Sequence, residues 1–133
     1  MKIGVLDYGN CNSNSIYFSL LNLGYDCKKI ENSNELDSLD KLIIPGNSNA
    51  LSAINFLKKN MLEQNILNFV EKKMVIGICL GAQIFCKKLE EAKCDGLGYL
   101  DADVISSILE EAGKFTTEVI APTNRIGDED KAR

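Results

Sequence analysis

Histidine is missing from this chain of 133 residues. No imidazole is on hand as a general base, and none as a metal ligand. The five cysteines, Cys11, Cys27, Cys79, Cys86 and Cys94, include no C-x-x-C pair. That removes the dithiol redox motif and, with histidine absent, the usual zinc spacings. An odd count without framework spacing points to reduced thiols in a cytoplasmic protein, with no metal and no cofactor expected. Long hydrophobic runs are lacking too: no apolar stretch approaches the roughly eighteen residues of a membrane span. Met1-Lys2 leads straight into a strand-like segment rather than a signal peptide. Basic clusters are also absent. Lys72-Lys73 and Lys87-Lys88 are isolated pairs that read as solvated helix faces, and the net charge of −4 argues against a nucleic-acid partner.

What is present is an ordinary globular composition, 45% hydrophobic and 26% charged, in a chain about one domain long. Its most informative stretch is Gly77-Ile78-Cys79-Leu80-Gly81. An apolar run, Met74 to Ile78, leads into the cysteine, and a helix-compatible stretch, Ala82 to Lys88, follows it. This is the strand–turn–helix layout of a nucleophile elbow, with cysteine where serine commonly stands. Glycines two residues to either side leave room for a sharp turn that lifts the side chain into the open. A thiol there also sits at a helix N-terminus, where the dipole favours thiolate. The pattern G-x-C-x-G alone also arises by chance in a glycine-containing core strand; here its flanks set it apart. Cys27, expected in a strand, and Cys86, expected on a helix, read more simply as small buried thiols.

Lys2 to Leu6 reads as a buried parallel strand, with Asp7-Tyr8-Gly9 opening its loop. Asn12, Ser13 or Asn14 can cap the next helix, which carries Ile16, Leu20 and Leu23 and closes at Gly24. Tyr25 to Ile30 reads as a second strand, and Asp40 to Ile44 as a third, stopped by Pro45-Gly46. Ala50 to Lys59 and Leu62 to Lys72 have helical period, as two helices or one broken helix. Met74 to Ile78 is the fourth strand. Such alternation predicts an α/β fold, a mostly parallel sheet with helices on both faces. Ligands in such folds bind beyond the carboxyl ends of the strands. Loops Asp7 to Asn12, Pro45 to Asn49 and the Cys79 elbow meet that rule. Pro45-Gly46-Asn47 is placed to aim backbone N–H groups at Cys79 and complete an oxyanion hole with the Leu80 N–H. A plain turn is the other reading of Pro-Gly after a strand.

Asp7-Tyr8-Gly9 with Asn12 and Ser15, Pro45-Gly46, and Gly77-Ile78-Cys79-Leu80-Gly81-Ala82-Gln83 form one constellation, continued by Glu90-Glu91 and Gly96-Leu97-Gly98. Together they resemble the class I (triad-type) glutamine amidotransferases, most strongly the glutaminase subunits of imidazole glycerol phosphate synthase. The likeness covers about the first hundred residues, so residues 1–100 are expected to be part of such a domain, flavodoxin-like and truncated. The resemblance implies that Cys79 attacks the side-chain amide of glutamine and forms a γ-glutamyl thioester. It implies that Gly46, Asn47 and Leu80 hold the oxyanion, and that Gln83 and Gly81 seat the substrate. Asn10, Asn12 and Ser15 would lie near the face that docks an ammonia-accepting synthase, a cyclase. A similar subfamily supplies ammonia in surface-sugar biosynthesis, and these residues do not separate the two.

The departures from the family pattern are specific. Its members carry a His-x-Glu pair well downstream of the elbow, and this sequence ends before reaching it. The pair after Pro45-Gly46, usually Val-Gly in this subfamily, reads Asn47-Ser48. A missing general base commonly costs about 10²- to 10⁴-fold in rate, so efficient glutamine turnover by this chain is not expected. A non-catalytic scaffold of the same fold is one alternative. A cysteine enzyme whose thiol is activated by a carboxylate, Asp7 or Glu31, is another. From Asp101 or Asp103 the pattern Val104, Ile105, Ile108, Leu109, Ala112, Phe115, Val119 predicts a C-terminal amphipathic helix, with a frayed polar end from Asn124. Residues 101–133 weakly resemble the N-terminal helical segment of acyl-CoA dehydrogenases, without any flavin motif. They are read either as a foreign appended segment or as a divergent helix capping a shortened sheet.

Overall fold

The computed structural model describes residues 1–9, 11–46, 49–90 and 92–115. The chain divides into two compact units, Met1–Tyr99 and Leu100–Arg133.

The first unit is built on a four-stranded sheet of β1 (Lys2–Leu6), β2 (Asp26–Ile30), β3 (Lys41–Ile44) and β4 (Met74–Gly77), in the order β2-β1-β3-β4. Every pairing in it is parallel, so each connection must cross back over the sheet. The chain leaves β1 towards β2 and later returns to the other side of β1 as β3. The switch point therefore falls between β1 and β3, where ligand crevices of open α/β sheets form.

Strand alternation sorts the core into two layers. Register places Ile3 beside Cys27, Val5 beside Ile43, and Ile43 beside Ile76 on one face. Helix α1 (Ser13–Asn22) covers Ile3, Cys27 and Ile43 there with Ile16, Tyr17 and Leu20. Cys27 is a buried strand thiol, as expected. The helix ends in a Schellman motif, with Gly24 N–H bonded to Leu21 O and Tyr25 N–H to Leu20 O. Asn12 occupies its N-cap position without a side-chain cap bond. The other face holds Leu6, Leu42 and Ile44, all fully buried.

Helices α2 (Ala50–Lys59) and α3 (Leu62–Val70) connect β3 to β4 and bury Ala53, Ile54, Leu57, Leu62, Ile66 and Phe69. The Asn49 side chain caps α2 by accepting from Leu51 N–H at 2.9 Å and Ser52 N–H at 3.2 Å. The two are separate helices, because Met61 takes a left-handed φ of 53° between them.

The stretch after the elbow departs from expectation. Helix α4 spans only Leu80–Gln83 rather than running on to Lys88. Carbonyls that a longer helix would use internally are taken from outside. Ile84 O accepts from Leu97 N–H at 2.6 Å and Cys86 O from Gly98 N–H at 3.2 Å. Cys86 therefore lies beyond the helix, and a short antiparallel ribbon, β5 (Lys88–Leu89) with β6 (Cys94–Asp95), adds strands the sequence pattern did not suggest. Its strands are two residues each, too short for periodicity to register.

In the second unit, helix α5 (Ala102–Phe115) starts where expected, with the Asp101 carboxylate accepting from Val104 N–H at 3.1 Å. Val104 and Ile108 of its apolar stripe are exposed. Val119 and the polar end from Asn124 lie outside the described residues. No helix of the described residues is long and apolar enough to cross a membrane.

Candidate active site

Cys79 stands between β4 and α4 with φ 53° and ψ −117°. This is a backbone conformation that non-glycine residues rarely adopt and that neighbouring structure must impose. The imposing contacts are close. Ile78 N–H bonds to Ile44 O at 2.9 Å, and Gly81 N–H bonds back to Ile78 O at 2.9 Å. A methyl group on Gly81 would lie only 1.9 Å from Ile44 O, so the turn requires glycine there. The thiol of Cys79 is exposed, as an elbow demands.

The loop after β3 lies against the elbow. A methyl group on Gly46 would sit 2.6 Å from Ile78 O and 3.0 Å from both Cys79 Cβ and Leu80 N. Gly46 and Leu80 are both buried. Among the described residues, no hydrogen bond occupies the N–H of Gly46 or of Leu80. Two backbone donors beside an exposed thiol are the ingredients of an oxyanion hole. Asn47, the third expected donor, lies outside the described residues.

The loop after β1 joins them. The Tyr8 hydroxyl donates to Pro45 O at 2.6 Å, and Asn12 N–H donates to Gly46 O at 3.1 Å. Tyr8 is buried, with its ring 6.4 Å from that of Phe56. Burial raises its pKa well above the ordinary phenol value, and the electrostatic influence of Cys11 and Cys79 adds to the rise. Nothing local in the sequence marks Tyr8 for a role, since no local pattern reports a contact made 37 positions away.

Asp7 is engaged elsewhere. Its carboxylate takes Lys29 Nζ at 3.0 Å and Gly9 N–H at 3.1 Å, and the Cys11 thiol lies 3.7 Å away. Burial pushes its pKa up, but Lys29, the Gly9 N–H and the Ser13 hydroxyl together outweigh that and hold it below the usual value. Glu31 follows β2, on the sheet edge opposite β4. Three strand spacings, about 14 Å, separate those edges, so Glu31 does not reach the thiol.

Gln83 is exposed on α4 and borders a cavity of about 150 Å³ lined also by Ala50, Cys86, Lys88, Leu89 and Glu90. Gly81 is buried in the elbow itself, while Asn12 and Ser15 are exposed at the start of α1. Asn10 lies outside the described residues. Among those residues no three Cys, Asp or Glu side chains gather closely enough to hold a metal ion.

Residues 15–132 match the CobB/CobQ-like glutamine amidotransferase domain. Over 104 residues the chain is 36% identical to the imidazole glycerol phosphate synthase subunit HisH of Bacteroides thetaiotaomicron, covering 78% of this chain and 52% of that protein. The subunit of the same name from Caldanaerobacter subterraneus is 36% identical over 105 residues, with 77% and 52% covered. The chain thus spans about half the length of these relatives. A crystal structure described as a glutamine amidotransferase superimposes with a TM-score of 0.64 at 24% identity, covering 74% of this chain and 52% of that one. It shares the flavodoxin-like α/β fold.

Proposed function

The chain belongs to the CobB/CobQ-like glutamine amidotransferase family, and from that premise we propose that Cys79 is the nucleophile that attacks the side-chain amide of glutamine. The observation that carries the reading is the exposed thiol at φ 53°, ψ −117°, with Gly46 packed against Leu80 N. Addition of the Cys79 sulfur to the amide carbon forms a C–S bond and places negative charge on the former carbonyl oxygen. The N–H groups of Gly46, Leu80 and Asn47 receive that oxygen. Collapse expels ammonia, once the nitrogen has gained a proton, and leaves a γ-glutamyl thioester for water to hydrolyse. Gln83 and Gly81 seat the substrate. The cavity beside Gln83, lined also by Ala50, Cys86 and Leu89, is the space beside that side chain open to a small ligand.

Ammonia then passes to a synthase docked over Asn10, Asn12 and Ser15. The relatives' names support a cyclase of imidazole glycerol phosphate synthesis, hence histidine biosynthesis, as the acceptor. These 133 residues hold no histidine, so the proton donor for the departing ammonia is not an imidazole of this sequence.

Purified chain incubated with glutamine should release little or no ammonia, and adding a synthase subunit alone should not restore release. The chloromethyl ketone analogue of glutamine should nonetheless modify Cys79 in preference to the other four thiols, read by peptide mass spectrometry. Equal labelling of all five would remove the amidotransferase reading of Cys79. Robust ammonia release abolished by Cys79→Ala would remove the expectation of inactivity.

A further inference from the structure

We propose that Tyr8 is a positioning residue of this site, its hydroxyl setting the direction of the Gly46 N–H, one of the oxyanion donors, through the Pro45 carbonyl. The inference rests on the reading of Cys79 as an amide-attacking nucleophile. A trans peptide is planar, so its C=O and N–H point in opposite directions and turn together. Pro45 O and Gly46 N–H belong to one such unit. Gly46 O and Asn47 N–H belong to the next.

Both carbonyls are held from the loop after β1. Tyr8 Oη donates to Pro45 O at 2.6 Å and Asn12 N–H donates to Gly46 O at 3.1 Å. The Tyr8 bond turns the Pro45 oxygen towards the β1 loop and thereby commits the Gly46 N–H to the opposite side. Without the Tyr8 bond, the Pro45–Gly46 unit is free to rotate a carbonyl towards the developing oxyanion, where it would repel rather than stabilise charge.

The tether is built to persist. Tyr8 is 7% exposed, its ring packs near Phe56, and burial keeps its hydroxyl protonated well above the ordinary phenol range. Pro45 is fully buried, so no water takes over from a lost hydroxyl at no cost. Gly46, directly after it, lies too close to Cys79 Cβ and Leu80 N for a shift to go unnoticed at the elbow.

The test compares two electrophiles on the full chain. The chloromethyl ketone analogue of glutamine reacts through a tetrahedral oxyanion: the Cys79 thiolate adds to the ketone carbon, its sulfur then displaces chloride from the adjacent methylene as the C–Cl bond breaks, and the bond from sulfur to the ketone carbon breaks as the carbonyl re-forms, leaving a thioether. Iodoacetamide alkylates the same thiolate by displacing iodide, with no oxyanion. Tyr8→Phe should lower the maximal inactivation rate by the chloromethyl ketone about tenfold, less than the ~10²- to 10³-fold lost when a donor is removed outright, because the Gly46 N–H is misaimed rather than deleted. Its concentration dependence and the iodoacetamide rate should stay within about twofold of wild type. Phe56→Leu, which loosens the ring packing but keeps the hydroxyl, should leave the chloromethyl ketone rate near wild type.

An unchanged or faster chloromethyl ketone rate in Tyr8→Phe overturns the proposal. So does a parallel fall in both electrophiles, or an equal fall in Phe56→Leu, since either marks loss of structure rather than of aim. If wild type itself shows no saturable preference for the glutamine analogue, the nucleophile reading falls first and this inference with it.

Discussion

The two faces of the four-stranded sheet are finished to different degrees. On the face of Leu6, Leu42 and Ile44, aliphatic side chains are buried to completion, and the helices between β3 and β4 bury Ile54, Leu57, Leu62 and Ile66 equally well. On the α1 face the cover stops short. Ile3, Val5, Cys27 and Ile43 are buried, but Met74, Ile76 and Ile78, which continue that layer across β4 and past its end, are 55%, 44% and 44% exposed. The attachment also differs in kind. The closed face is held by apolar packing, whereas the start of α1 is tied down by the Lys29, Gly9 and Ser13 contacts of Asp7. Among the described residues, one side of the sheet is completed by the helices next to it in sequence, while the layer at β4 is exposed. That strand is the one that leads into Cys79.

Truncating one residue on each face should expose the contrast most sharply. Ile44→Ala on the closed face is expected to cost about 2–5 kcal/mol, because a fully buried methylene set is lost and a cavity remains. Ile76→Ala on the open face should cost less than about 1 kcal/mol, being nearer a surface change. Urea unfolding of the two variants reads the difference, and equal losses would mean that the β4 layer is covered in solution. Ile76→Lys should, in addition, lower any self-association seen by sedimentation.

The polar attachment of α1 predicts a smaller and pH-dependent effect. Asp7 has a lowered folded pKa, so its contribution is present above the unfolded carboxylate value and is lost as pH falls through the folded one. Asp7→Asn should therefore cost about 1 kcal/mol at neutral pH, a hydrogen-bonded charge discounted for partial exposure. The gap to wild type should close in acid, as thermal melts from pH 7 downwards would reveal. A gap independent of pH would assign the stabilisation to the packing of Asp7 and not to its charge.

At the end of the open strand the expected change is of comparable size and has the opposite sign. Cys79 holds a left-handed φ that glycine adopts without strain. Cys79→Gly should raise stability by about 1 kcal/mol, strain relief exceeding the added entropy of the unfolded chain. A destabilised variant would mean that the elbow turn is not under strain.

Much of this molecule was legible beforehand because its signals are local. Four apolar runs bounded by turn residues gave strands within a residue of those observed, and Gly24 and Asp101 marked helix ends by cap chemistry alone. Cys79 was legible because an elbow needs glycines at fixed offsets, and Gly81 indeed has no room for a side chain. The length of α4 was not legible. Its residues have helical propensity, and only the returning Gly96–Gly98 backbone, which takes the Ile84 and Cys86 carbonyls, ends it at Gln83. Tyr8 escaped notice for the same reason: its partner is distant in sequence.

By itself, then, the sequence determined the parallel α/β plan, the strand–turn–helix around Cys79 and the likeness to glutamine amidotransferases, since periodicity, caps and glycine spacing act over a few residues. Tertiary structure alone decided that Pro45 and Gly46 are held by Tyr8 and Asn12, that Asp7 is committed to Lys29, and that Glu31 lies at the far edge from the thiol. It also decided which face of β4 stays open. Those outcomes follow from strand order, and strand order is set by the summed burial of the whole sheet, a quantity that no short segment carries.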